Sequence, residues 1–144
     1  MKTDRKLGCI GKNISLLYRK RQMYLNKKLD EYGICSSEYM FIMSMPLEGS
    51  VTLTYLSQDV AVDPALTTKV VNKLVQKGFF LKVKSEEDKR VFKVSLTEEG
   101  KRIKPIITKI LHEWVDSITE GMEEEQVDFI ASMLEIFVKN IPKK

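Results

Sequence analysis

Residues 62–100 decide the fold, and their sequence is VDPALTTKVVNKLVQKGFFLKVKSEEDKRVFKVSLTEEG. Asp63 is a preferred N-cap residue, and Pro64 follows at the first helical position, where a missing N–H is not needed. Apolar residues then recur three or four positions apart as far as Gly78, which supplies a helix stop. After Gly78 the apolar period changes to two, which predicts two strands joined by a polar turn. The segment therefore predicts a capped helix followed directly by a β-hairpin.

The predicted helix of residues 64–77 has two different faces on a helical wheel at about 100° per residue. Its apolar arc consists of Leu66, Val70, Val71, Leu74 and Val75. The opposite arc consists of Ala65, Thr68, Lys69, Asn72, Lys73 and Gln76. Small side chains allow close approach to DNA, amides and hydroxyls read base edges and lysines meet phosphates, so this arc suits the major groove. We predict DNA contacts by Pro64, Ala65, Thr68, Lys69, Asn72 and Lys73.

The residues before this helix complete a helix-turn-helix. Residues 52–61 predict a short helix that Thr52 or Thr54 can cap, and a brief turn then leads into the helix at 64–77. The alternative is an ordinary amphipathic surface helix. A position between another short helix and a basic hairpin favours DNA binding instead. Another short helix is expected further upstream, capped by Ser36 or Ser37 and buried because its side chains are apolar nearly all round.

The predicted hairpin, called the wing below, has strands at residues 79–84 and 91–96. Its polar tip contains Asp88, Lys89 and Arg90, and a basic side chain at such a tip can reach the DNA minor groove. Our hypothesis is that Asp88 holds Arg90 or Lys89 in position through a charge-assisted hydrogen bond. The alternative is a solvated charged turn.

The charge of the chain is distributed unevenly around its total of +4. Residues 1–32 contain nine basic and three acidic side chains, and residues 63–104 contain eleven and six. Two basic blocks suggest a polyanionic partner, although a lysine-rich helix face is often only a solvated surface.

Long amphipathic helices are predicted on both sides of the helix-turn-helix and wing. One spans residues 7–32, and two more span residues 101–119 and 124–141. Pro105 is expected to kink the second helix or to mark its true start. The apolar residues of the last two helices exceed what one small core could cover.

The wing segment KSEEDKRVFKVSLTEEG at residues 84–100 resembles the wing signature of the MarR (multiple antibiotic resistance regulator) family. The shared pattern is an Asp-x-Arg tip followed by Val-x-Leu-Thr-x-x-Gly, and the helix beginning at Asp63 is similar too. Ser85 and Glu87 depart from the family pattern, which often has Asp and a basic residue there.

This resemblance implies a mainly α-helical fold with a small β-hairpin wing, and a homodimer that reads a palindrome in double-stranded DNA. The domain organisation that it implies is one domain over residues 1–144. Within it, residues 36–100 form the DNA-binding lobe, and residues 7–33 and 101–141 form dimerisation helices.

Members of the family often respond to a small phenolic or hydrophobic effector, and some sense peroxides through a cysteine. Tyr18, Tyr39 and His112 are candidates for an effector pocket, although aromatic residues at helical spacing are more often plain core. Cys9 is the candidate redox residue because Lys6 and Lys12 nearby would favour a thiolate.

Other functional classes receive less support from the sequence. Two distant cysteines and one histidine suggest neither a disulfide framework nor a metal site, and no cofactor is predicted. An enzyme would need Cys9 or Cys35 to pair with His112, so we expect none. No signal peptide or membrane-spanning stretch is recognised, which leads us to expect a cytoplasmic protein.

The leading hypothesis is therefore a dimeric transcriptional repressor that a small molecule or an oxidant releases from DNA. The alternatives are an architectural DNA-binding protein without an effector and a winged helix that binds only protein. Strong preference for one DNA sequence would distinguish a regulator from an architectural protein. Absence of salt-dependent binding to duplex DNA would favour the winged helix that binds only protein.

Overall fold

The computed structural model describes residues 2–143, and the side chains of residues 8–143. Its elements are α1 (Lys2–Leu29), a 3₁₀ turn (Asp30–Tyr32), α2 (Tyr39–Ser44), β1 (Val51–Thr52), α3 (Leu53–Val60), α4 (Pro64–Gln76), β2 (Phe80–Lys84), β3 (Phe92–Leu96), α5 (Glu98–Ile118) and α6 (Glu124–Lys139). This order confirms the predicted class, mainly α-helical with a small wing. Met1 and Lys144, the ends of the predicted domain, lie outside the described residues.

The chain forms two compact units, one ending at Leu111 and one beginning at His112. The first unit has a core to which every long element in it contributes. The fully buried side chains include Leu25, Leu29, Phe41, Ile42, Leu56, Val71, Leu74, Val94 and Ile107. The helix-turn-helix and the wing therefore share one hydrophobic core.

Helix α4 begins as the sequence predicts. The Asp63 carboxylate accepts a hydrogen bond from the Leu66 N–H at 2.9 Å, and Pro64 occupies the first turn. The predicted apolar arc is partly wrong, because Leu66 is 47% exposed while Thr67 is fully buried. Thr67 tolerates burial because its hydroxyl donates to the Asp63 carbonyl at 2.9 Å.

The start of α2 differs from the prediction that Ser36 or Ser37 caps it. Glu38 occupies the N-cap position, and no side chain caps the helix there. The Glu38 carboxylate instead accepts the N–H of Cys35 at 2.9 Å. The prediction that Ser36 or Ser37 caps α2 was therefore wrong, because the turn before the helix is closed by the hydrogen bond to the Glu38 side chain.

Glu38 also connects α2 to the end of α4. Its side chain is only 1% exposed, and both carboxylate oxygens accept hydrogen bonds from Lys77 Nζ, at 2.7 and 2.9 Å. Lys77 Nζ also donates to the Gly33 carbonyl at 2.7 Å. Burial by itself raises the pKa of Glu38, but the hydrogen bonds from Lys77 and Cys35 outweigh it and leave the pKa lowered. The buried charge is thus paired and hydrogen-bonded.

The wing belongs to a three-stranded antiparallel sheet with the order β1-β3-β2. The two-residue strand β1 was not predicted, since it is too short to show a period. The period-two pattern of β2 separates Leu81 and Val83 from Lys82 and Lys84. Lys82 pairs with the buried Val94 and is half-buried, whereas Leu81 and Val83 are 54% and 50% exposed and Lys84 is exposed as well.

Gly100 lies where α5 begins against the turn that joins α4 to β2. Thr97 caps α5 as predicted, because its hydroxyl accepts the Gly100 N–H at 3.1 Å and donates to the Gly78 carbonyl. A β-carbon on Gly100 would overlap the carbonyl oxygen of Phe79 and lie 3.0 Å from Leu96 Cδ2. The glycine in the Leu-Thr-x-x-Gly pattern is therefore a requirement of space.

Helix α5 runs without a break from Glu98 to Ile118, with Pro105 inside it. The alternative that Pro105 marks the true helix start was therefore wrong. In the second unit, α6 begins with a capping box formed by Glu123 and Gln126. No residue of α6 is buried, and Phe129 and Val138 are 64% and 67% exposed.

We expect Gly100→Ala to destabilise the protein by about 1–3 kcal/mol, the usual penalty for overpacking. The added methyl group meets backbone, which cannot move aside as a flexible side chain would. Denaturant unfolding measures the effect. Gly11→Ala is the matched control, because Gly11 lies in α1 with open space around it, and should gain up to about 1 kcal/mol from helix propensity. Equal stability of Gly100→Ala and the wild type would contradict the packing argument.

Candidate nucleic-acid interface

The predicted DNA-facing side of α4 is open to solvent. Pro64, Ala65, Lys69, Asn72 and Lys73 are exposed, and Thr68 is half-buried. The opposite side is held in the core by Val70, Val71 and Leu74. The structure thus places the six predicted contact residues on the solvent side of one capped helix.

The turn between α3 and α4 fixes the angle at which the two helices meet. Ala61 ends α3 in the left-handed region, with φ 59°. The Ser57 hydroxyl donates to the Val62 carbonyl at 2.6 Å, so α3 is hydrogen-bonded across the turn. A left-handed alanine is strained, and the side-chain bond helps to hold that backbone.

A notch of about 230 Å³ lies between α3 and the first turn of α4. Its lining consists of Leu53, Thr54, Ser57, Gln58, Pro64 and Thr68. The Thr68 hydroxyl donates to the Pro64 carbonyl at 3.0 Å. Thr54 and Gln58 are exposed candidates that sequence reasoning missed. The sequence could have indicated them, because they are polar residues four positions apart on the helix that directly precedes α4.

The side chain of Lys82 connects the wing to the exposed face of α4. Lys82 Nζ, on β2, donates to the Asn72 Oδ1 atom at 3.0 Å and lies 4.5 Å from the centroid of the Phe92 ring. Lys84 Nζ lies 6.0 Å from the same ring without a hydrogen bond to α4. The strand that begins the wing therefore lies beside the exposed face of α4.

At the wing tip, Asp88 and Arg90 form the charge-assisted contact that we hypothesised. The Asp88 carboxylate accepts the Arg90 N–H at 3.0 Å, Nε at 3.2 Å and Nη2 at 3.3 Å. The side-chain hydrogen bonds from Arg90, followed by its backbone N–H, lower the pKa of Asp88. The Arg90 side chain remains 91% exposed, so its direction is set while it stays accessible.

The remaining residues of the tip have different environments. Lys89, Glu86 and Glu87 are exposed, whereas Ser85 is buried and its N–H donates to the Val91 carbonyl at 2.8 Å. Ser85, one of the two departures from the family pattern, therefore lies inside the turn. Glu87 leaves an acidic group in solvent beside the basic pair.

A cavity of about 530 Å³ lies in the first unit, between α1, α2 and α4. Tyr18 and Tyr39 line it as predicted, and Arg21 donates to the Tyr39 hydroxyl. The wall also contains Met40, Val60, Val62, Leu66, Val70, Lys69 and Lys73. His112 is an exposed residue of α5 in the second unit and is not among the residues that line this cavity, so its role in an effector pocket stays a prediction.

The two cysteines differ in exposure and neither forms a disulfide. Cys9, the candidate redox residue, is exposed on α1, and the side chain of Lys6 lies outside the described part of the chain. Cys35 is half-buried, and its thiol donates to Glu38 Oε1 at 3.2 Å.

Helices α3 and α4 form a helix-turn-helix, in which α4 is the capped recognition helix, and the β-hairpin wing follows it. These elements define a winged helix-turn-helix DNA-binding protein. A family model described as "Transcriptional regulator SarA/Rot" matches residues 23–107. The chain belongs to this family of transcriptional regulators, and its fold is of the MarR type.

Several known proteins resemble the chain over most of its length. A MarR transcriptional regulator from Methanosarcina mazei Go1 has 35% identity and a TM-score of 0.85, with 92% of this chain and 96% of that chain covered. The HTH-type transcriptional regulator SarZ of Staphylococcus epidermidis is 26% identical, with 80% of this chain and 77% of SarZ covered. A mutant MarR from E. coli, solved in complex with operator DNA, has 22% identity and a TM-score of 0.80, with 95% and 96% covered. The protein is thus a DNA-binding transcriptional regulator of the MarR and SarA winged-helix type.

None of the helices in the described part of the chain combines the length and the apolar character of a membrane-spanning segment.

We expect Arg90→Ala to raise the pKa of Asp88 toward the ordinary value of about 3.9, because the side-chain donors that stabilise the carboxylate are removed. The sign follows from the lowered pKa. In the wild type the pair stabilises the tip above pH of about 4, and this stabilisation is lost as the pH falls through the lowered pKa. An NMR titration of the Asp88 carboxyl carbon measures the change.

Lys89→Ala is the control for this titration, because Lys89 is the exposed neighbour of Arg90. It should leave the Asp88 titration almost unchanged. If both variants moved the titration equally, general charge around the tip would explain the shift in place of the specific contact.

Proposed function

We propose that the protein is a homodimeric repressor that acts in the cytoplasm on a palindromic operator. Each protomer would insert α4 into a major groove and place its wing at the adjacent minor groove. The observation that carries this proposal is the exposed, capped face of α4 beside the basic wing, held together through Lys82 and Asn72.

The exposed side chains divide the work of DNA recognition. Ala65 and Thr68, near the helix start, permit close approach to base edges, and Lys69 and Lys73 meet phosphates. Lys89 and Arg90 reach the minor groove from the wing tip, with Asp88 directing the arginine. The phosphate contacts make binding strongly dependent on salt.

A second copy of the chain is proposed to cover the apolar surface of α1 and α6. Residues 8–20 of α1 are all exposed, and they include Ile10, Ile14 and Leu17 at 44–48% exposure. Helix α6 also exposes large apolar side chains, which are Phe129, Ile130, Leu134, Ile136, Phe137 and Val138. Monomeric proteins rarely expose large apolar patches, and each of these two helices exposes several large apolar side chains, so the stretches 7–33 and 101–141 are proposed as dimerisation helices.

An effector is proposed for the cavity lined by Tyr18 and Tyr39. Its wall combines apolar and aromatic side chains with the cations Arg21, Lys69 and Lys73. That combination suits a small phenolic or other aromatic molecule, particularly an anionic one. Because Lys69 and Lys73 also belong to the DNA-facing side of α4, an occupant would act directly on DNA affinity. The oxidant alternative depends on Cys9, whose thiol is exposed on α1 and therefore accessible to an oxidant.

Selection from a pool of random duplexes tests the regulator against the architectural alternative. We expect one enriched motif with two inverted half-sites about one helical turn apart, as two-fold symmetry requires. Affinity for this motif should exceed that for random duplex by about a thousandfold or more. Light scattering should give twice the chain mass of 16.6 kDa. Tight binding without an enriched motif would identify an architectural protein.

A panel of benzoate and phenol derivatives tests the effector. We expect at least one compound to raise the melting temperature and to weaken operator binding, and Tyr18→Ala to reduce both responses because Tyr18 lines the cavity. Met23→Ala is the matched control, since Met23 is exposed on the same helix and is not a lining residue. If Tyr18→Ala and Met23→Ala responded alike, the effector would bind elsewhere.

A further inference from the structure

Asn72 is the predicted DNA-facing residue that the wing itself contacts. Its side chain is exposed on the third turn of α4, and its Oδ1 atom accepts a hydrogen bond from Lys82 Nζ at 3.0 Å. Lys82 is held in turn by the Phe92 ring, whose centroid is 4.5 Å from the same nitrogen. Lys82 is half-buried, so its stem is packed and its charged end is directed at α4.

The chemistry of this contact fixes the orientation of the Asn72 amide. A lysine ammonium has three donors and no acceptor, so it can bind the oxygen of an amide but not its NH₂ group. The NH₂ group of Asn72 is therefore turned away from Lys82. Without Lys82, the amide could rotate and offer either end to a base.

The orientation bears on which base Asn72 can read. The two-point contact of asparagine with adenine needs both ends of the amide, because the oxygen accepts from N6 while the NH₂ group donates to N7. Lys82 takes one of the two acceptor positions of the Asn72 oxygen and places a positive charge beside it, which disfavours the approach of a second donor such as adenine N6. The NH₂ group stays free to donate, and guanine offers two acceptors in the major groove, O6 and N7.

We propose that Lys82 is a specificity-determining residue, which holds Asn72 as a hydrogen-bond donor and thereby sets a preference for guanine over adenine at one position of each half-site. This inference rests on the proposed function, because it requires α4 to enter the major groove. It assigns a role in base selection to a wing residue that need not touch the base.

The experiment compares enriched motifs from random duplex pools for the wild type, Asn72→Ala, Lys82→Met and Lys84→Met. Asn72→Ala identifies the position in the half-site that Asn72 reads, because only there should the preference vanish. At that position the wild type should prefer guanine, and Lys82→Met should shift the relative affinity toward adenine by about tenfold. Lys84→Met is the matched control, because Lys84 approaches the same Phe92 ring without contacting Asn72. It should retain guanine.

If Lys82→Met does not fold, binding of the wild-type protein to a chemically modified duplex still tests the inference. In a duplex with 6-thioguanine at the same position, N7 is kept while a weakly accepting sulfur replaces O6, the acceptor that distinguishes guanine from adenine, and wild-type affinity should fall about tenfold. An unchanged affinity would overturn the inference.

Two other outcomes would also overturn it. If Lys82→Met weakened binding to all duplexes equally and lowered the salt slope by about one, Lys82 would be a phosphate contact. If Lys82→Met and the wild type selected the same base, Lys82 would not orient the amide. Failure of the wild type to enrich any motif is a separate result, which would overturn the proposed function and this inference with it.

Discussion

The close approach of Gly100 to the Phe79 carbonyl oxygen holds the DNA-binding part of the molecule together. At this point the turn after α4 meets the start of α5. The Thr97 hydroxyl donates to the Gly78 carbonyl in that turn and accepts the Gly100 N–H in α5. The Thr97 N–H also donates to the Phe79 carbonyl at 3.0 Å. The end of the recognition helix, the start of the wing and the start of α5 therefore cannot move independently. A side chain at residue 100 would separate all three.

The recognition helix is fixed at both ends while its reading face stays open. Asp63 caps its N-terminus, and the ion pair between the buried Glu38 and the partly exposed Lys77 anchors its C-terminus to the segment before α2. A buried carboxylate is unfavourable unless it is paired and hydrogen-bonded, and Glu38 has both kinds of partner. The rigidity of the helix thus comes from its ends and its buried side, which leaves the exposed side chains free for base and phosphate contacts.

The sequence predicted poorly those residues whose environment depends on contacts with a distant part of the chain. A helical wheel placed Leu66 with the buried residues, but the space beside it is a cavity and not a neighbouring helix. The alternation in β2 predicted a strand, but only its pairing with β3 decided that Leu81 faces solvent. The contact between Lys82 and Asn72 joins two elements whose separation no local pattern encodes.

The sequence by itself determined the caps of α4 and α5, the turn after α4, the order of the helices and the wing, because these depend on backbone conformations that Asp63, Pro64, Gly78 and Thr97 favour locally. It also determined the polar side of α4 and the Asp88 and Arg90 pair, which are separated by few residues. Only the tertiary structure decided which apolar residues are covered, where a cavity remains and how the wing meets α4. Those outcomes depend on packing between segments far apart in the chain, and packing is a property of the assembled core.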